Sequence, residues 1–281
     1  MKIDSHQHFW KYDPVKEAWI TPEMAVIQKD FLPQDVEPLL SQNNFDGCIA
    51  VQADQSENET HFLLQLADEN DFIKAVVGWV DFKDPNIEER LEYFSGFKKL
   101  KGFRHIFQAE TNPEFMLQTD FCNGIDKLAK YNFTYDILIG PQQWPFIGEF
   151  INKFPKQRFV IDHLAKPDFK KSDFTAFEKM VCAIAKNPNV FCKVSGLVTE
   201  AHWHNWKPED FKTALDIITE NFSINRLMFG SDWPVCLLSA TYPEVIALME
   251  HYFSSFSVTD QDAFWGNNAV SFYNLEVSFF T

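Results

Sequence analysis

Two histidines one residue apart, His6 and His8, close a short apolar run in KIDSHQHFW, residues 2–10. Side chains alternate along an extended strand, so this spacing puts both imidazoles on one face and turns Ser5 and Gln7 the other way. On that face they can converge on one metal ion or one substrate oxygen. A third histidine, His163, stands in DHLAKP, and a carboxylate, Asp232, follows an apolar run in LMFGSDWP. Three nitrogens and one oxygen form a donor set that zinc accepts, with a fourth or fifth position left for water. The plainer readings are hydrogen-bonded structural histidines and a helix-capping aspartate. In LMFGSDWP, Gly230 allows close backbone approach next to Asp232, which suits a general base held beside a metal or a histidine cluster.

Further polar side chains end apolar runs. Arg104, in KGFRH, offers a fork of donors suited to a carbonyl or carboxylate oxygen, or to an ordinary ion pair. Asp136, Lys166 and Lys193 are candidates for substrate contact, and each could equally neutralise a charged neighbour. Trp10, Trp19, Trp203, Trp206 and Trp233 lie in or beside loops where an indole face can pack on the C–H face of a sugar, or simply in a core. His202 and His204 form a second pair, but on a loop or helix start, where alternation no longer guarantees a common face. Ser195 and Ser231 lack a GxSxG elbow, which argues against an acyl-enzyme.

What positions these residues is a repeated alternation of elements. β-Branched and aromatic runs predict eight strands, at 2–8, 46–53, 73–81, 101–107, 133–139, 158–164, 190–197 and 226–232. Helical spacing falls between them. At 58–70 it groups His61 or Phe62 with Leu63, Leu66 and Ala67, and at 85–97 it groups Ile87, Leu91, Phe94 and Phe97. Eight strand–helix units in 281 residues predict parallel strands closed into a (β/α)8 barrel, one α/β domain over residues 1–281, with the chemistry at the strand ends. An open dinucleotide-binding sheet would begin with a glycine-rich turn, and SHQHFW has no glycine there. The irregular stretch from Lys11 to Pro33 is long enough to cover a site at that end of a barrel.

Composition narrows the partners. With 25 basic and 40 acidic residues, the formal net charge of −15 repels a phosphate backbone, so nucleic acid and anionic membrane are not expected partners. The sequence shows neither a run of ~20 apolar residues nor a secretory signal, which predicts a cytoplasmic protein. Five scattered cysteines without a CxxC pair read as reduced, buried small hydrophobes. The 30 phenylalanines serve a core or an apolar subunit interface equally well, leaving monomer and homo-oligomer open.

Eight ordered motifs, HQHFW, VVGWVD, GFRHIFQ, YDILI, DHLAKP, CKVSGLVTEA, RLMFGSDWPV and GNNAVSFY, span the chain from Lys2 to Tyr273. In order and spacing the chain resembles the amidohydrolase-related lactonases, in the branch of L-fuconolactonase-like sugar lactone hydrolases. The resemblance implies a distorted (β/α)8 TIM barrel of the amidohydrolase type that opens an aldonolactone to its aldonic acid in sugar catabolism. It makes His6, His8, His163 and Asp232 the core of the site, with Arg104 at the carbonyl or a hydroxyl. Asp232 would activate water while His163 and Arg104 stabilise the developing charge. His6, His8, Trp10, Asp136, Lys166, Lys193 and Trp233 would contact the substrate. No bridging lysine or second downstream histidine is present, so the resemblance implies at most one divalent metal, zinc above others, at His6, His8, His163 and Asp232; metal-independent relatives leave the metal-free form open. A metal-dependent decarboxylase of an aromatic or unsaturated acid, built on the same donor set, is the alternative.

Overall fold

The computed structural model describes residues 1–276. Eight strands run in one sheet in chain order: β1 (Ile3–Gln7), β2 (Gly47–Val51), β3 (Ile73–Gly78), β4 (Leu100–Ile106), β5 (Thr134–Leu138), β6 (Phe159–Ile161), β7 (Val190–Val194) and β8 (Leu227–Phe229). Each pairs in parallel with the next. β8 does not pair with β1 along its own length. The seam is closed just above it, where Asp232 N–H donates to His6 O (2.8 Å) and His8 N–H to Trp233 O (2.7 Å). A nearly closed barrel results, and its irregular seam carries the first two histidines and the last aspartate.

The strands form where apolar runs such as GCIAV, IKAVVG and FVI can be buried on both faces. Helices α1 (Pro33–Gln42), α2 (Glu57–Glu69), α3 (Ile87–Ser95), α4 (Thr119–Leu128), α5 (Trp144–Lys153) and α6 (Thr175–Ile184) connect them in turn. After β7 come α7 (Leu197–Glu200) and α8 (Pro208–Phe222); after β8 come α9 (Tyr242–Phe253), α10 (Val258–Asp262) and α11 (Asn268–Tyr273). One apolar cluster fills the space between strands and helices. A smaller one, including Ile3, Ile49, Val51, Ala75, Val77, Val160 and Met228, lies inside the barrel and continues onto Phe272 and Tyr273 of α11, which stops the lower end.

Two expectations shift. α2 buries Thr60, Leu63, Leu64 and Ala67, leaving Phe62 and Leu66 half-buried, so its inner face is rotated from the expected one. The cause is polar: Thr60 Oγ1 both donates to Trp79 O and accepts from Trp79 N–H, each at 2.8 Å, and ties the helix to the end of β3. In α3, Ile87, Leu91 and Phe94 are buried as expected, while the helix stops at Ser95, before Phe97. β6 and β8 are also shorter than their apolar runs, because the chain leaves the ladder to make the turns described below.

The segment from Lys11 to Pro33 is pinned at its base by paired bonds between Trp10 and Phe31 (3.0 and 2.9 Å) and by Trp10 Nε1–H to Lys29 O (2.9 Å). It carries one 3-10 turn, Pro22–Ile27. The cysteines are free; Cys48, Cys192 and Cys236 are buried and Cys122 and Cys182 half-buried. Among the described residues, no helix is long and apolar enough to cross a membrane.

Candidate active site

Four side chains from three separated regions meet at the barrel mouth. His6 Nε2 and His8 Nε2 face each other at 3.2 Å. Asp232 Oδ1 lies 3.5 Å from His8 Nε2 and 3.9 Å from the Nε2 atoms of both His6 and His163. Close backbone approach makes this possible. A Cβ on Gly230 would come within 2.6 Å of His6 Cβ, and one on Gly196, at φ 68°, within 2.7 Å of His163 Nδ1. Asp232 has φ 58°, and four consecutive residues, His163 to Lys166, have φ between 53° and 60°. Left-handed backbone costs L-residues roughly 1–2 kcal/mol each, and such strain collects at functional sites because surrounding structure holds it there. Here it turns both His163 and Lys166 toward the mouth.

The outer ring nitrogens are engaged by the protein. His8 Nδ1–H donates to Val51 O (2.7 Å), which leaves a lone pair on Nε2, and His163 Nδ1 is 2.8 Å from Ser195 Oγ. Such partners set imidazole orientation at metal sites. Bonds of ~2.1 Å in tetrahedral geometry put ligand atoms about 3.4 Å apart, and the 3.2–3.9 Å separations bracket that value. His6, His8 and Asp232 each bring one donor atom within 4.8 Å of the others and could hold a divalent ion, with His163 Nε2 beside them at 3.9 Å from Asp232 Oδ1.

Beneath this cluster lies a buried charged layer. Arg104 Nη1 donates to Asp162 Oδ2 (3.0 Å) and stands 3.3 Å from His6 Nε2, while Nη2 donates to Gln52. Lys193 Nζ donates to Asp136 Oδ2 (2.5 Å) and lies 3.2 Å from both Asp162 Oδ1 and His6 Nδ1. Burial acts against ionisation of Asp162, yet Lys193, His6 and Arg104 outweigh it and hold the carboxyl well below its usual range. Burial likewise opposes ionisation of Asp232, and His163 and His8 bring it below the ordinary value. Burial depresses His6 and His163 well below the usual imidazole range, keeping both rings neutral. At Asp136 burial dominates and pushes the carboxyl up to about 6.

A cavity of about 240 Å³ opens above the cluster. His8, Arg104, His163, Lys166 and Asp232 supply its polar floor and side; Trp10 and Trp19 from the long first segment form one wall, opposite Ile106 and Leu138. Lys166 Nζ is held by Glu200 Oε1 at 2.9 Å. Of the candidate substrate contacts, Asp136, Lys193 and Trp233 do not line the cavity. Asp136 and Lys193 are buried below it with each other as partners, and Trp233 packs edge-on against Phe9 and Phe31 in the core. His6 likewise does not line the cavity. Trp203 and Trp206 are spent on Thr199 O and Ser239 O, away from the cavity, and His202 and His204 are exposed.

Sequence reasoning passed over Asp162 and Ser195 as site members. Both stand at strand ends in motifs already singled out, so the signal was present. Alternation would turn Asp162 away from its neighbour His163; the left-handed turn after Ile161 brings both to one centre, with His6, Asp162 and His163 donor atoms within 4.8 Å of one another.

Residues 3–275 match the amidohydrolase family. The chain belongs to that family. Within it, the chain is 40% identical to the L-fucono-1,5-lactonase of Burkholderia multivorans, over 98% of this chain and 96% of that protein. It is 32% identical to the L-fucono-1,5-lactonase of Burkholderia ambifaria, with the same coverage of 98% and 96%. A crystal structure of an amidohydrolase from Burkholderia multivorans with bound zinc superposes with a TM-score of 0.94 at 39% identity, covering 98% of this chain and 100% of that one.

Proposed function

We propose that this amidohydrolase opens the ring of a sugar lactone, L-fucono-1,5-lactone or a close L-aldonolactone, with water to give the aldonic acid. The observation that carries the reading is an ionised carboxylate, Asp232, set 3.5–3.9 Å from three imidazoles at the floor of a cavity of monosaccharide size. Identity to two L-fucono-1,5-lactonases over nearly the whole chain supports the substrate class.

The chain's own groups account for the proton movements. Asp232, held below the usual carboxylate range, is ready at neutral pH to take a proton from water as that water adds to the lactone carbonyl. Arg104, at the cavity side and fixed by Asp162 and Gln52, places positive charge beside the oxygen that becomes negative. Collapse of the adduct breaks the bond to the ring oxygen, and the proton on Asp232 passes to that leaving alkoxide. Trp10 and Trp19 exclude water along one wall and offer faces to the sugar's C–H surface, while Lys166 reaches its hydroxyls. His6, His8, His163 and Asp232 would hold one divalent metal, zinc by their donor chemistry, and such an ion supplies Lewis-acid polarisation and a more acidic water.

Acid release from a panel of L-fucono-, L-galactono- and L-rhamnonolactone tests the reading on zinc-loaded and chelated protein. Hydrolysis well above the spontaneous rate is expected, lost on chelation and restored by zinc. Silence across the panel with zinc supplied would overturn the lactonase reading, and carbon dioxide release from unsaturated acids would then support a decarboxylase.

A further inference from the structure

We propose that Asp136, Lys193 and Tyr273 are positioning residues that set the tautomer of His6 and thereby free its Nε2 to hold a metal ion. The inference rests on the metal centre described above. His6 Nδ1 lies between two groups of opposite demand: Lys193 Nζ at 3.2 Å and Asp162 Oδ1 at 3.3 Å. An ammonium only donates and a carboxylate only accepts. If Lys193 donates to Nδ1, the single proton of the neutral ring sits on Nε2, which then has no lone pair to give. If Nδ1–H donates to Asp162, the same proton has moved across the ring, and the Nε2 lone pair points into the space shared with His8 Nε2, Asp232 Oδ1 and Arg104 Nη1.

Arg104 Nη1, a pure donor 3.3 Å from Nε2, already disfavours a proton there, and the position of the ammonium tips the balance further. Asp136 Oδ2, at 2.5 Å, is the nearest of its three neighbours and draws Nζ away from the histidine. Asp136 is itself held from the far end of the barrel, where Tyr273 O–H reaches both carboxylate oxygens at 3.0 and 2.8 Å. Tyr273 belongs to α11, so the helix that stops the lower end of the barrel also anchors the chain of contacts that ends on a ligand at the mouth. Asp136 and Lys193 have no exposed surface and do not line the cavity, so substrate contact does not explain them. Stability explains them poorly too, since burying a charge pair is often no better than apolar packing. The four buried charges, Arg104 and Lys193 against Asp136 and Asp162, balance, and losing Asp136 alone leaves one excess positive charge next to a metal ligand.

The test measures zinc affinity of the purified full chain by competition with a chromophoric chelator, alongside kcat and KM for lactone hydrolysis. Asp136→Asn releases the ammonium onto His6 and is expected to weaken zinc binding roughly tenfold or more, the usual loss when a partner behind a ligand is removed, with kcat falling and KM little changed. Tyr273→Phe, which keeps the ring and its packing, is expected to show a smaller loss in the same direction and stands in if Asp136→Asn does not fold. Asp136→Asn combined with Lys193→Met removes the competing donor together with its counter-ion and is expected to return zinc affinity toward wild type. Wild-type affinity in both single variants would overturn the proposal, and so would a double variant no better than Asp136→Asn, because that is the pattern of a purely structural role. A wild-type chain that takes up no zinc would overturn the metal centre and this inference together; one equivalent bound with the same affinity by wild type, Asp136→Asn and Tyr273→Phe would overturn the inference alone.

Discussion

On the side of the barrel built by β1, β2, β3 and β8, the interior is filled by Ile3, Ile49, Val51, Ala75, Val77 and Met228. On the side built by β4, β5, β6 and β7 it holds Arg104, Asp136, Asp162 and Lys193, just as thoroughly buried, beside the apolar Val160 and Phe191. Both sides exclude water, but by different means. Apolar packing is non-directional, so it stabilises whichever side chains fill the volume. Ion pairs and hydrogen bonds fix angles, and buried ones become costly as soon as one partner is lost. The difference teaches where each property of the protein resides: resistance to unfolding on the first side, orientation of the histidines and of Arg104 on the second.

The largest effect should come at the top of the charged side. Asp232→Asn keeps the shape but removes the proton acceptor and a ligand charge, and kcat/KM for lactone hydrolysis is expected to fall by roughly 10³ or more, with the melting temperature nearly unchanged. Comparable activity in that variant would remove Asp232 from the chemistry. The apolar side should answer in the opposite sense. Ile49→Ala, at a fully buried position, is expected to lower unfolding free energy by about 2–4 kcal/mol in urea titrations while the folded fraction keeps its kcat. A large loss of kcat there would mean that the two sides are not separable.

The smallest effect lies on the outer face of the seam. Asp4 accepts hydrogen bonds from Ser231 N–H (2.9 Å), His6 N–H (3.2 Å) and Tyr242 O–H (3.1 Å), yet burial pushes its carboxyl up to about 6. A carboxyl raised in the folded state binds a proton more tightly there than in the unfolded chain, where it titrates near 3.8. Its contribution is therefore fully present below 3.8 and is lost as pH rises through about 6. Asp4→Asn should abolish that slope: in melts at pH 5 and pH 7.5 the variant should gain on wild type by about 1 kcal/mol on going to the higher pH. A pH-independent difference would show that Asp4 is not the group that titrates.

Much of the architecture is legible in the amino-acid order. The apolar runs locate every strand, and the helical spacing at 85–97 selects the buried residues of α3. The nearness of His6 and His8 at the end of β1, and the polar residues Arg104, His163 and Asp232 at the ends of apolar runs, are legible from spacing and position. These are local properties, set by side-chain alternation and by the burial of both faces of a parallel strand.

Tertiary structure decided the rest. A register shift between Asp4 and Gln7 lets Ile3 and His6, three residues apart, both face the barrel interior, which strict alternation forbids. The left-handed turn from His163 to Lys166 joins Asp162 to its neighbour at one centre, and closure of the seam brings Asp232 to His6 across 226 positions of chain. Tyr273 reaches Asp136 only because α11 stops the far end of the barrel. Such features have no local signature: a bulge, a strained turn or a buried charge is unfavourable in the isolated segment, and it persists because partners distant in sequence satisfy it once the barrel has closed.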